Sequence, residues 1–141
     1  MKLFVDTSVL IAASDLEHEH FALSRRFFLI MKKETACCAA HTLAEMYAVL
    51  TRLPKAKRRT PDEALLTLEQ VRSRTSQIAL IPEEYVRTIE SAAMRGLTGG
   101  ILYDALLLAC ARKAEAERIY TWNVGHFKNI APDLADRIVT P

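Results

Sequence analysis

The sequence predicts an α/β domain in three layers, α/β/α, with helices on both faces of a mostly parallel sheet of four to five strands. Short apolar runs alternate with stretches of helical periodicity, and strands separated by helices pair in parallel through crossover connections. The 141 residues are one ordinary domain's worth, so residues 1–141 are expected to form a single unit. Half of them are apolar and 26% are charged, which builds a core under a solvated surface and excludes a disordered chain.

Lys2 to Val5 is a largely apolar run ended by Asp6 and reads as a buried strand. Phe21 to Lys33 sets its apolar residues at helical spacing, with Arg25, Arg26, Lys32 and Lys33 outside. Ala36 to Ala40 is a second buried strand, feeding Thr42, which opens a helix striped by Leu43, Met46, Tyr47 and Leu50. That helix ends near Leu53, because Pro54 disfavours helical geometry in the residue before it. Thr60-Pro61-Asp62-Glu63 starts the next: Thr caps, Pro fits the first turn, and the acids complement the dipole. Ile78 to Ile81 is a strand stopped by Pro82, and a helix runs from Glu83 to Arg95. Gly96, Gly99 and Gly100 punctuate a loop before the apolar helix Ile101 to Ala116. Arg118 to Trp122 is a short strand, and Arg137 to Val139 is a candidate last one. No run reaches the roughly 18 apolar residues of a membrane helix. Asp6 interrupts the opening run where a signal peptide would stay apolar, so a cytoplasmic protein with no membrane partner is expected.

The net charge of +2 is uninformative as a total and informative by position. Residues 52–59 carry five positive charges and no negative one, and the rest of the chain nets −3. Lys55, Lys57, Arg58 and Arg59, with Arg95, are candidates for phosphate contacts, since neutralised phosphates supply most sequence-independent nucleic-acid affinity. The plainer reading of the run is a solvated loop between two helices. Cys37, Cys38 and Cys110 make an odd count, and reduced thiols in a core are expected. A metal site from Cys37, Cys38 and His41 would lack the second ligand pair of a zinc finger.

Most acids sit among polar neighbours; Asp6, Glu45 and Asp104 do not. Asp6 closes an apolar strand, Glu45 lies between Leu43 and Met46, and Asp104 precedes Ala105-Leu106-Leu107-Leu108. An unpaired buried charge costs several kcal/mol as a rough scale, so such carboxylates need donors or a cation. In an open parallel sheet the ligand crevice lies outside the carboxyl ends of the strands. Asp6 ends the first strand, Glu45 follows the second by one helical turn, and Asp104 opens a helix at the same edge. Their mutual repulsion would be relieved by a hard divalent cation such as Mg²⁺ or Mn²⁺. Each also has a purely structural reading. Thr42-Leu43-Ala44-Glu45 matches a capping box, Asp6 could cap a helix beginning near Val9, and Asp104 could complement a helix dipole.

Leu3-Phe4-Val5-Asp6-Thr7-Ser8-Val9-Leu10-Ile11 resembles the first motif of PIN-domain ribonucleases. Thr42-Leu43-Ala44-Glu45, Gly100-Ile101-Leu102-Tyr103-Asp104-Ala105-Leu106-Leu107, and Tyr120-Thr121-Trp122-Asn123 followed by His126-Phe127 resemble the later ones. Their order and the chain length are similar to the VapC-type toxins of toxin–antitoxin pairs. The resemblance implies a PIN-like fold and a Mg²⁺-dependent endoribonuclease acting on single-stranded or looped RNA, restrained by a cognate antitoxin and dimeric. It also implies that Asp6, Glu45 and Asp104 are the metal ligands and catalytic acids, with Ser8 and Thr121 orienting them. Where the fourth motif often supplies another acid, this chain has Asn123, an amide that can bind water or a carboxylate without offering charge to a second cation. His18, His20 and His126 read as surface or packing residues. Two rivals stand beside this reading. An aspartyl phosphotransfer enzyme would want a second Asp where Ser8 stands, and a non-catalytic adaptor would need only the fold.

Overall fold

The apolar triplet Leu3–Val5 forms β1, and every other element is arranged around it. The computed structural model describes all 141 residues. After β1 come α1 (Thr7–Ser14), α2 (Phe21–Ile30), β2 (Ala36–Ala39), α3 (Ala40–Leu50), α4 (Pro61–Arg74) and β3 (Ser76–Ile78). Then follow α5 (Pro82–Met94), α6 (Ile101–Lys113), β4 (Arg118–Tyr120), α7 (Val124–Ile130), a 3-10 helix over Pro132–Arg137, and β5 (Ile138–Val139). The five strands form one sheet in the order β3-β2-β1-β4-β5, parallel throughout. The α/β expectation holds, and the candidate fifth strand is present.

β1 sits at the point where strand order reverses, with β2 on one side and β4 on the other. Phe4 pairs with Cys37 and Ile119, and Val5 pairs with Tyr120. The amide of Asp6 donates to the Tyr120 carbonyl at 2.9 Å, which ties the chain just past β1 to the end of β4. In such sheets the crevice opens at this switch point.

Successive strand side chains face opposite sides, which splits the core in two. Phe4, Cys37 and Ile119 pack with Leu107, Leu108 and Phe127 from α6 and α7. Val5 and Cys38 pack with Leu10, Phe28, Met46 and Val71 from α1 to α4. Neighbouring Cys37 and Cys38 therefore belong to different layers. All three cysteines are free and buried, and burial pushes the Cys37 and Cys110 thiols up to about 11. No Cys37–Cys38–His41 metal cluster forms.

Four local expectations are corrected. α3 begins at Ala40, so Thr42 lies inside its first turn, fully buried, with its hydroxyl 2.9 Å from that of Thr7. The Thr42–Glu45 capping box is absent, whereas the Thr60–Glu63 box is formed at 3.2 and 3.0 Å. Asp6 occupies the N-cap position of α1, which starts at Thr7 rather than Val9, yet its carboxylate makes no cap bond. β3 spans Ser76–Ile78 instead of Ile78–Ile81, because its partner β2 ends where Ala39 meets Ile78. α7 is an element that the sequence pattern does not announce.

Candidate active site

Asp6 is 3% exposed, so its carboxylate is held by the protein rather than by water. Ser8 and Thr121 hydroxyls both donate to Oδ2, at 2.7 and 2.8 Å. These two hydroxyls are themselves fixed. The Trp122 amide donates to Ser8 Oγ at 3.0 Å, and the Asn123 amide donates to Thr121 Oγ1 at 3.0 Å. The chain leaving β4 thus bends its amides onto the hydroxyls that orient Asp6. Burial raises the Asp6 pKa, the two hydroxyls oppose that rise, and the nearby Asp104 adds to it.

Glu45 reaches the same cleft from α3. Its Oε1 is buried and has no hydrogen-bond partner; the imidazole of the half-exposed His41, one turn earlier, lies 3.8 Å away. Burial raises its pKa first, His41 lowers it, and Asp6 and Asp104 raise it further. Asp104, in the first turn of α6, places Oδ2 2.8 Å from Nε2 of His126. His126 is exposed, as a surface residue would be, and its contact with Asp104 is a site feature that sequence reasoning misses. Its signal was the apolar spacing of Phe127 and Ile130, which makes a short helix and leaves His126 on a different face.

Asp6, Glu45 and Asp104 line one cleft of about 400 Å³ together with Ser8, Asn123, His18, His20 and Trp122. The expected gathering of the three acids at one sheet edge is therefore seen. They do not stand as a ready-made ligand cluster: no three His, Cys, Asp or Glu side chains are grouped closely enough to hold one ion. Two of the acids carry a histidine beside them, His126 on Asp104 and His41 near Glu45. The donor set nonetheless suits a hard cation. Glu45 Oε1 has no hydrogen-bond partner and Asp6 receives donors on one oxygen only, which leaves carboxylate oxygens available to a cation. Thr121 is fully buried, while Asn123 is exposed at the cleft and its hydrogen bonds run through its backbone, the amide to Thr121 Oγ1 and the carbonyl from the Phe127 amide.

The basic run is partly folded back on the protein. Lys57 lies 3.5 Å from Asp15 and 3.3 Å from Glu17, Arg58 donates to the Leu53 carbonyl, and Arg59 donates to the carbonyls of Lys57 and Ser14. Lys55 is exposed and has no partner. A second groove of similar size between α5 and α6 is lined by Arg87, Arg95, Arg112 and Lys113. Arg112 is there committed to Asp133 and Lys113 to Glu84, and it holds no group of acids.

A wholly parallel sheet with acids collected at the carboxyl ends of its strands, around a switch point, is the architecture of a PIN-like domain. The PIN domain profile matches residues 3–131. Ribonuclease VapC27 of Mycobacterium tuberculosis is 37% identical over 116 residues, spanning 82% of this chain and 80% of that protein. Ribonuclease VapC40 of the same organism is 35% identical over 117 residues, 79% and 80% of the two chains. The chain belongs to the PIN-domain family, among its VapC-type members. Two solved structures share the fold at 18% identity. Mycobacterium tuberculosis VapC20, a sarcin-ricin loop cleaving toxin, superposes with a TM-score of 0.72 over 92% of this chain and 95% of its own. VapBC2 from Rickettsia felis, bound to a DNA fragment from its promoter, gives 0.64 over 93% and 94%.

Proposed function

We propose that this protein is a metal-dependent endoribonuclease and the toxin of a toxin–antitoxin pair. The observation that carries the reading is the cleft itself: three carboxylates, from the turn just past β1, from α3 and from α6, with a Glu45 oxygen left without a hydrogen-bond partner, in a chain whose curated relatives are named ribonucleases. Asp6, Asp104 and Glu45 would hold Mg²⁺ or Mn²⁺. What that cation supplies when bound is a lowered pKa for water and neutralisation of charge on the scissile phosphate. Ser8 and Thr121 fix the orientation of Asp6, so its free oxygen faces the cleft without reorganising. His126 does the same for Asp104. Glu45, with a raised pKa and an oxygen free of donors, is suited to take a proton from the attacking water. Asn123 brings an uncharged amide to the cleft, which favours one permanently held cation over two.

Attack by water leaves a 5′-phosphate and a 3′-hydroxyl. The test incubates protein freed of antitoxin with structured RNAs and Mg²⁺, beside Asp6→Asn. Cleavage by the first alone, with those ends, is the expected result; a 2′,3′-cyclic phosphate would overturn the mechanism. The VapBC2 likeness supports a cognate antitoxin as partner, and a cytoplasmic homodimer completes the reading. No helix is long and apolar enough to cross a membrane. Light scattering of the free toxin and of its complex tests the assembly.

A further inference from the structure

One wall of the cleft is aromatic. The His20 ring lies on the Trp122 indole with centroids 3.7 Å apart and planes 6° from parallel. His18 stands beside them, its ring 5.7 Å from that of His20, and the His20 amide donates to His18 Nδ1 at 3.0 Å. All three line the cleft that holds Asp6 and Asp104. The wall is anchored at two points. Trp122 Nε1 donates to the fully buried Ser24 hydroxyl at 2.8 Å, and the Trp122 amide donates to Ser8 Oγ, which donates to Asp6 Oδ2. A single chain of hydrogen bonds thus sets the indole relative to the carboxylate at the centre of the site.

Core packing alone does not call for this arrangement. Trp122 packs against the core yet stays only partly buried, and His20 is a polar ring stacked over it along an open cleft. Flat π-faces beside a phosphate-handling site are what unpaired bases stack on, and such stacking tolerates any base because every base has a π-face. We propose that His20 and Trp122 form a nucleobase subsite, taking an unpaired base next to the scissile phosphate. The proposal rests on the ribonuclease reading and adds the part of the substrate that reading leaves open. Nearby Glu19, 3.6 Å from His20 Nε2, gives this subsite a polar edge.

Trp122 is the only tryptophan of the chain, so its fluorescence reports on the subsite without labelling. The probes are an oligoadenylate octamer and an octamer of abasic ribose phosphate, titrated in metal-free buffer where no cleavage occurs. Oligoadenylate is expected to quench Trp122 emission and to bind more tightly than the abasic octamer, by roughly 5- to 150-fold per stacked base. His20→Ala should cut that ratio by about tenfold while leaving affinity for the abasic octamer unchanged, and His20→Phe should restore it. Thermal melting of both variants separates these effects from misfolding. Stacking acts equally on bound substrate and transition state, so His20→Ala should raise KM and spare kcat. Equal binding of the two octamers, or equal weakening of both by His20→Ala, overturns the subsite even where RNA is still cut. Failure to bind either octamer and to cut any RNA overturns the ribonuclease reading with it.

Discussion

Asp6 is the residue on which stability and activity pull in opposite directions. Burial raises its pKa, and burial with two acidic neighbours raises that of Glu45. Each therefore holds its proton more tightly in the folded chain than in the unfolded one. The stability this confers is present at acidic pH and is lost as pH rises through the raised values. Above those raised values the metal-free protein carries carboxylates whose charge burial disfavours. Asp6→Asn should accordingly raise the melting temperature at neutral pH in EDTA, do little at acidic pH, and abolish cleavage. Mg²⁺ should raise the wild-type melting temperature at neutral pH and leave Asp6→Asn unmoved; a variant less stable than wild type at neutral pH would refute the account. His126 is the second test at this scale. With its anchor on Asp104 removed, His126→Ala should slow cleavage by about 10- to 100-fold and weaken Mn²⁺ binding, with His126→Gln recovering part of both.

Among the elements, α3 and α4 show how the same local sequence signal can succeed or fail. Thr60 and Glu63 close a capping box because the chain before Pro61 is free to place Thr60 outside the helix. Thr42 and Glu45 have the same spacing, but β2 runs straight into α3 at Ala39–Ala40, so the helix begins two residues earlier and swallows Thr42. Tertiary contact then decides: Thr42 bonds Thr7 of α1, and Glu45 is released to the cleft. Thr60→Ala should cost about 1 kcal/mol of stability in urea titration and leave cleavage intact. Thr42→Val strands the Thr7 hydroxyl, at about 1–3 kcal/mol, and should also impair cleavage because α1 and α3 carry Asp6's and Glu45's surroundings. The strands and most helices were legible because apolar runs, Pro54, Pro61, Pro82 and the glycines punctuate them. β3 slipped because register belongs to the partner strand, and α7 escaped because seven residues with apolar side chains only at Val124, Phe127 and Ile130 make too short a pattern to announce a helix.

Across the whole molecule, the acids were legible as a site because parallel topology sends strand ends to one edge, so Asp6 and the start of α3 and α6 share an address. The aromatic wall was not legible, since its contacts join residues about a hundred positions apart; the His126–Asp104 contact turns on the path between α6 and α7, whereas His41 stands one helical turn before Glu45 on α3. The charge pattern lies between these cases. The basic run was visible as five positive charges, but not that Lys57 spends its charge on Asp15 and Glu17. Those two acids begin the loop that carries His18 and His20 to the cleft, so the run borders that loop. Its members should therefore contribute unequally. Changing Lys55, Lys57, Arg58 and Arg59 together to Ala should weaken RNA binding and flatten its salt dependence, by about 0.7 in the log–log slope per phosphate released on a single strand. Taken singly, Lys55→Ala and Arg58→Ala should each lower the slope, Lys57→Ala should barely change it, and Arg59→Ala should act mainly through stability, since its guanidinium ties the end of α1 to the run. Affinities measured from low to physiological salt decide the matter. A quadruple variant with the wild-type slope would mean that the run is a solvated loop, and that the positive surface for RNA lies elsewhere.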